Sequence, residues 1–412
     1  MNLLGFAAAA SEKGDAVGAE RLVRAVLAAQ PDDIAAHFLL GVISLKARRD
    51  HEAEAACRAA LRLAPGFAAA QTNLGTALKR LDRLDEAVAC FRQATALLRG
   101  TKPHEGVLIE PGQAETFRIA APIKLQHDIE QFDYLIERGA LPRSFSATID
   151  AYRAVLGELD DGNATLSQRL SPDQLDRIGA TYNRLVYRPP DEHVSPCLNP
   201  RLAAERIEAD YFDSSPHVVV VDELLSNDAL GALRRFALEA SIWFDCKQAG
   251  GYLGAYLHDG FDAPVLIRLA HELRARLPRL LGTHPLAQAW AFKYAPGGTG
   301  TRPHADEAAL NINIWITPDE ARRAGESGGL RLHDATVPEG WSFDDYNREP
   351  EAMRALLSAK RARPIDVAYR CNRAVIFDSC LIHETLPYDF GSTYADRRVN
   401  VTLLYGARPH GA

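Results

Sequence analysis

The sequence predicts a multidomain chain of α and β parts: an all-α repeat solenoid at the N-terminus, a helical connector, and a C-terminal β-sandwich or barrel with supporting helices. Three observations predict it. A 34-residue period runs through the first part of the chain, a β-branched run begins at His217-Val218-Val219-Val220-Val221, and short strands dominate from 288 onward. The chain of 412 residues, 47% of them apolar and 25% charged, has material for roughly two to three buried cores.

The period rests on several positions in one register. Leu40-Gly41 recurs as Leu74-Gly75, Ala53 as Ala87 and Ala60 as Ala94; one step back lie Phe6-Ala7, Ala19 and Val26, and Pro31 precedes Pro65. Small residues fall where two antiparallel helices must approach closely, and the prolines where the second helix stops. An alanine-rich hairpin explains one such coincidence but not several. The pattern resembles the tetratricopeptide repeat, in three units over residues 1–101 with the first slightly truncated. That resemblance implies a concave surface for a protein or peptide.

Gly100, Pro103, Gly106, Pro111 and Gly112 mark a linker. Residues 125–158 read as helices, with Ile129, Phe132, Leu135 and Ile136 at helical spacing, and four prolines make 186–200 a loop. Residues 102–212 are therefore read as a helical connector that extends or caps the solenoid. Residues 213–412 form the third part. Ser226 is placed to cap a helix running to about Ala240, and an amphipathic helix covers 264–277 before Pro278. Strands are expected at Gln288–Tyr294, Leu310–Ile316, Gly329–His333, Arg373–Asp378 and Arg397–Tyr405.

Composition excludes several classes of function. Lys+Arg minus Asp+Glu is 47 − 54 = −7, and only 8 of the 47 bases are lysine, which argues against nucleic acid or an anionic membrane as partner. No apolar run is long enough to cross a bilayer. Leu3–Ala10 lacks the positive flank of a secretory signal. Six cysteines without a CxxC pair point to reduced thiols in a cytoplasmic protein, and Cys371 and Cys380 stand too far apart along an extended segment for a local bridge.

The chemistry concentrates near the C-terminus. His304-Ala305-Asp306 puts two potential metal ligands on one face of an extended segment, and His383 lies 77 residues beyond Asp306. Two imidazoles and one carboxylate form the facial triad that leaves positions open on Fe(II). A surface histidine beside a solvated aspartate is the bland alternative, but a glycine-rich turn, Tyr294-Ala-Pro-Gly-Gly-Thr-Gly, leads into His304 directly after a strand. Arg398, Asn400 and Thr402 alternate with Val399, Val401 and Leu403, as Asn311, Asn313 and Trp315 alternate with Leu310, Ile312, Ile314 and Ile316. Either strand alone reads as half exposed. A cationic fork at Arg398, following a ligand histidine, suits a dicarboxylate. Arg397 beside it is the competing anchor, since a one-residue slip swaps their faces.

On Tyr294…Pro-Gly-Gly-Thr-Gly, His304-x-Asp306, Gly328-Gly329-Leu330, His383 and Arg398, residues 288–406 resemble the iron(II)- and 2-oxoglutarate-dependent dioxygenases, in particular their prolyl-hydroxylase-like branch. The resemblance implies a double-stranded β-helix (jelly-roll). It implies Fe(II) on His304, Asp306 and His383, which with Arg398 form the catalytic set. It also implies 2-oxoglutarate anchored by Arg398 near Tyr294, in a pocket lined by Asn400 and Thr402, with Asn313 and Trp315 on the adjoining strand, and O2 at the remaining position. Hydroxylation coupled to release of succinate and CO2 is the implied default. Asp306 disfavours a halogenase. The spacing of 15 from His383 to Arg398 is longer than usual for prolyl hydroxylases, so a loop at Gly391–Asp396 is expected. The second arginine of the nucleic-acid demethylases would fall at Leu404, which cannot play that part.

The expected substrate is a side chain of a protein or peptide recognised with help of the repeats. The alternatives are a small molecule such as an amino acid or biosynthetic intermediate, or a non-catalytic interaction protein with a degenerate barrel. A zinc hydrolase would leave Arg398 without a purpose. His217, His258, His271, His284 and His333 read as structural or surface residues, with His333 alone within possible reach of the pocket; Trp243, Trp290 and Trp341 read as core or rim. No feature of the sequence sets the oligomeric state.

Overall fold

Three helical hairpins follow from the 34-residue period: α1 (Leu3–Glu12) with α2 (Ala16–Ala29), α3 (Ile34–Lys46) with α4 (Asp50–Leu63), and α5 (Ala68–Arg80) with α6 (Leu84–Arg99). They are seen in a computed structural model that describes residues 3–101, 107–159, 167–247, 251–323, 328–347 and 349–408. The small residues of the period sit at the helix crossings. A Cβ on Gly41 would lie 2.8 Å from Cys57 Sγ, and one on Gly75 2.5 Å from Phe91 Cε1; Cys57 and Phe91 occupy the same position one repeat apart. Helices α2 and α4 stop alike, at Gln30 and Ala64, each with φ −137° and ψ 83° immediately before a proline.

The same period governs charge, which composition alone did not reveal. Glu20 takes Arg49 at 2.6 Å and Arg24 at 2.8 Å, while Glu54 takes Arg83 at 2.8 Å and Arg58 at 2.9 Å. Each partner is displaced by one repeat. In the third repeat Val88 replaces the glutamate, and Arg92, in the register of Arg24 and Arg58, turns to Asp262 at 2.8 Å. Asp262 ends Leu257–Asp262, a piece of later chain that groups with Met1–Arg118 and Ala180–Val186 in the first of two compact units. Arg99 pairs with Asp259 of the same piece at 2.7 Å.

The second unit comprises Ile119–Gly179, Tyr187–Tyr256 and Ala263–Ala412. Residues 102–212, expected as one connector, therefore divide between the units. Helices α7 (Pro122–Glu137) and α8 (Ser146–Leu159) belong with the sheets, as do α9 (Asn227–Glu239), which Ser226 caps, and α10 (Pro264–Arg276). The strands are β1 (Val218–Val221), β2 (Asp245–Lys247), β3 (Tyr252–Tyr256), β4 (Leu286–Tyr294), β5 (Leu310–Trp315), β6 (Leu330–Thr336), β7 (Pro364–Val367), β8 (Ala374–Asp378), β9 (Leu381–Thr385) and β10 (Val399–Tyr405).

An antiparallel sheet in the order β1-β8-β5-β10-β4-β3-β2 and a smaller one, β7-β6-β9, make the jelly-roll. Its interior joins Trp315, Val375 and Phe377 of the large sheet to Leu330, Leu332, Val367 and Leu381 of the small one. Helices cover the outer face of the large sheet: Gln131 of α7 donates to the carbonyls of Leu238 and Ala240, and Tyr405 donates to Ala270 of α10. Every residue of β10 is consequently buried. Its polar alternation marks an inside-facing stripe, not a solvent face.

No helix among the described residues is long and apolar enough to cross a membrane, and all six cysteines are free.

Arg49, then Arg24, holds the Glu20 carboxyl at about 2, down from its usual 4.5. A carboxylate lowered on folding stabilises the fold above its unfolded value, and that contribution disappears as pH falls through the folded one. The repeats should therefore lose stability between pH 4.5 and about 2. Glu20→Gln should flatten that acid limb and cost ~0.5 kcal/mol at neutral pH, the scale of an exposed pair. Thermal unfolding across pH measures both, and an unchanged acid limb would show that the ladder adds nothing.

Candidate active site

The glycine-rich turn after β4 works through close packing. Gly300 has φ +87°, and a Cβ there would lie 1.9 Å from the Thr385 carbonyl oxygen. Only glycine lets the turn lie flat against β9. Thr301 N donates to Thr385 O at 3.1 Å, and Thr385 N donates to Thr301 Oγ1 at 2.7 Å. The contact continues as a reciprocal pair, His304 N to His383 O at 3.0 Å and His383 N to His304 O at 2.8 Å. Two histidines far apart in sequence thus stand on adjacent extended segments, their rings 4.4 Å apart.

Asp306 completes the cluster: His304, Asp306 and His383 each offer a ligand atom within 4.8 Å of the others. His304 Nδ1 lies 2.8 Å from the Arg302 carbonyl and His383 Nδ1 3.0 Å from the Leu381 carbonyl. A carbonyl only accepts, so each Nδ1 carries a proton and each Nε2 is the ring nitrogen left to face the cluster. Asn311 Nδ2 donates to Asp306 Oδ2 at 2.6 Å. Burial alone would raise the Asp306 carboxyl, but His383, His304 and Asn311 outweigh it and hold it below the ordinary range. Burial, then the neighbouring His383, lowers His304. Two imidazoles and an ionised carboxylate are a donor set suited to a divalent first-row ion such as Fe(II).

Beside the cluster runs a polar stripe. Register puts Trp315, Asn400 and Phe292 in one row across β5, β10 and β4, and Asn313, Thr402 and Trp290 in the next. Asn313 and Asn400 both donate to Thr402 Oγ1, at 3.3 and 3.4 Å. Arg398, 1% exposed, lies 4.5 Å over the Tyr294 ring and 5.9 Å from that of Tyr369. Its Nε donates to the Gly328 carbonyl at 2.8 Å and its Nη1 to Asn400 Oδ1 at 3.2 Å. No carboxylate among the described residues forms an ion pair with it. The Tyr294 hydroxyl lies 3.3 Å from Thr385 Oγ1. Trp315 stacks on Tyr369 at 5.2 Å, leaving its Nε1 without a partner; Asn313 Oδ1 and the Tyr388 hydroxyl are likewise buried and unpaired. A buried cation with no described counter-charge is costly unless a guest answers it, and so are buried donors and acceptors left without partners. A dicarboxylate fits that demand.

Arg397 has a different fate. It points to the outer face and forms an ion pair with Glu130 of α7. There Lys293 of β4 donates to the Tyr394 hydroxyl and lies 4.4 Å from the Trp243 ring. Burial, then Arg397, pushes the Lys293 ammonium well below its ordinary range. His333 has the opposite parity to Leu332, which faces His383, and meets Glu384 at 3.4 Å away from the pocket.

Sequence reasoning missed Asn311 as the residue orienting Asp306, although it shares the alternating face of Asn313. Tyr369 and Tyr388 carried no signal, because each lies outside any long periodic strand.

Gly300→Ala should lower stability by ~2–3 kcal/mol, since both the φ and the Thr385 contact oppose a Cβ. Gly297→Ala, whose Cβ would come no nearer than 3.7 Å to its neighbours, should be tolerated. Denaturant titration of the two variants checks this contrast; equal losses would refute the packing argument.

Residues 68–97 match the family model of the tetratricopeptide repeat. No curated protein matches the chain. Among solved structures, the chain is similar to an O-GlcNAc transferase mutant of Thermobaculum terrenum at 30% identity, over 23% of this chain and 18% of that one, with TM-score 0.23. It is similar to a prolyl-4-hydroxylase of Pseudomonas putida at 18% identity, over 53% of this chain and 100% of that one, with TM-score 0.30. It is also similar to the α-ketoglutarate-dependent epimerase SnoN from nogalamycin biosynthesis at 17% identity, over 51% and 85% of the two chains, with TM-score 0.35.

Proposed function

We propose that the protein is an Fe(II)- and 2-oxoglutarate-dependent oxygenase that hydroxylates a side chain of a protein or peptide, recruited with help of the repeats. One observation carries this reading: a two-histidine, one-carboxylate cluster beside a buried guanidinium with no described counter-charge. Fe(II) on His304, Asp306 and His383, with 2-oxoglutarate, supplies the net conversion of R–H, O2 and 2-oxoglutarate into R–OH, succinate and CO2. The protein's own groups bind and orient. Arg398 pairs with the distal carboxylate, with Tyr294 beneath its guanidinium and Asn400 holding one of its nitrogens. Asn313 and Thr402 offer hydrogen bonds along the chain of the co-substrate, and Trp315 closes that wall. Asn311 holds Asp306, while the two carbonyl-bound Nδ1 protons keep both imidazoles in the ligating tautomer. The apolar interior around Phe377 and Leu332 keeps water away. The repeat match at 68–97 supports a protein or peptide substrate over a small molecule.

Anaerobic addition of Fe(II) and 2-oxoglutarate should give a weak visible charge-transfer absorption that His304→Ala abolishes. Arg398→Met should weaken 2-oxoglutarate binding about 10- to 100-fold, the loss of a hydrogen-bonded charge pair. Unchanged affinity would remove Arg398 as the anchor.

Asn311→Ala should weaken Fe(II) binding about 10- to 100-fold, as loss of a group that orients a ligand does. Direct metal titration measures it, and wild-type affinity would show that Asp306 needs no such support.

A further inference from the structure

The large sheet extends past the polar stripe, and its last strands carry aromatic side chains on the face that holds the stripe. Register sets Tyr252 opposite Tyr294, Gly254 opposite Phe292 and Tyr256 opposite Trp290. Phe292 in turn faces Asn400 and Trp290 faces Thr402. We propose that Tyr252, Tyr256, Trp290 and Phe292 form a substrate subsite for a planar aromatic ring. The proposal rests on the oxygenase reading only for what happens to the bound molecule.

The distribution of bulk argues for a guest. On the outer face of these strands Leu253, Ala255, Ala289 and Ala291 are small or aliphatic, Lys293 is the one long side chain among them, and all five are 0–1% exposed. The four large rings lie on the other face and are only partly buried. A strand pair folding merely to fill its core would place the rings on the covered side. Tyr252 and Phe292 pack at the margin of the sandwich core, so the surface continues from the interior outward.

The rings also form one contiguous cluster, each tilted against its neighbour, by 57° for Tyr252 and Phe292, 33° for Trp290 and Phe292 and 59° for Tyr256 and Trp290. Centroids are 4.9 Å apart for Tyr252 and Phe292, 5.9 Å for Trp290 and Phe292, and 6.2 Å for Tyr256 and Trp290. Gly254 permits this closure, because a Cβ there would stand 3.1 Å from Phe292 Cε1 and 3.2 Å from Tyr256 Cε2. At the rim the Tyr256 hydroxyl donates to Asp245 Oδ2 at 2.8 Å, which fixes the ring, and Lys247 neutralises that carboxylate at 2.9 Å. The surface therefore selects by shape and ring quadrupole, not by net charge. Offset or edge-on contact with such rings favours an aromatic guest beyond what its area alone supplies.

The test uses the full-length protein without iron or 2-oxoglutarate. Saturation-transfer NMR compares 1-naphthol with its saturated counterpart, decahydro-1-naphthol. A merely greasy patch prefers the saturated, more apolar probe. The subsite should bind 1-naphthol at least about 3-fold more tightly, and Trp290→Ala should weaken it about 3- to 10-fold while Trp290→Phe keeps most of the affinity. Tyr256→Leu provides a second reading should Trp290→Ala fail to fold. Equal binding of the two probes, or 1-naphthol binding unchanged in both Trp290→Ala and Tyr256→Leu, overturns the subsite. If 1-naphthol behaves as stated while 2-oxoglutarate fails to bind, the oxygenase reading falls and the subsite stands.

Discussion

The reciprocal backbone hydrogen bonds between His304 and His383 are the constraint on which the two-histidine, one-carboxylate cluster depends. With the Thr301–Thr385 contacts they fasten the turn after β4 to the small sheet, so the two imidazoles converge. Asp306 joins them two residues on, where its backbone N donates to the Ser379 carbonyl at 3.2 Å. Gly300 makes sense as a condition for that pairing, because a side chain there would occupy the space of the Thr385 carbonyl. Asn311 then adds a hydrogen bond that orients the carboxylate.

A second constraint is the burial of consecutive arginines immediately before β10. Burying a guanidinium costs several kcal/mol unless its charge is answered. Arg397 and Arg398 point to opposite faces and are answered differently. Arg397 finds Glu130 on α7, in a polar layer with Lys293 and Tyr394. Arg398 finds carbonyl and amide oxygens and two aromatic rings, but no described anion. The helix that answers Arg397 comes from the segment expected as a connector, which explains why Ile119–Gly179 groups with the sheets.

The repeats show the same economy on a larger scale. One period sets the bare glycines at Gly41 and Gly75, the identical backbone at Gln30 and Ala64, and a ladder of arginine–glutamate pairs. The ladder ends where Val88 replaces glutamate, and Arg92 is answered instead by Asp262, far along the chain.

The sequence alone determined the features that are local or periodic. Helical hairpins, strand positions, the cap at Ser226 and the HxD pair each depend on spacings of a few residues, or on a repeat that copies them. Tertiary structure decided which face of β10 meets the interior, and hence that Arg398, not Arg397, lies in the polar stripe. It also decided that Asn311 reaches Asp306, that Tyr369 and Tyr388 join the pocket, and that His333 faces away from it. It placed Trp290, legible only as core or rim, on a partly open aromatic face. Alternation gives parity but not which side is covered, because covering is done by helices and a second sheet whose docking no single strand encodes.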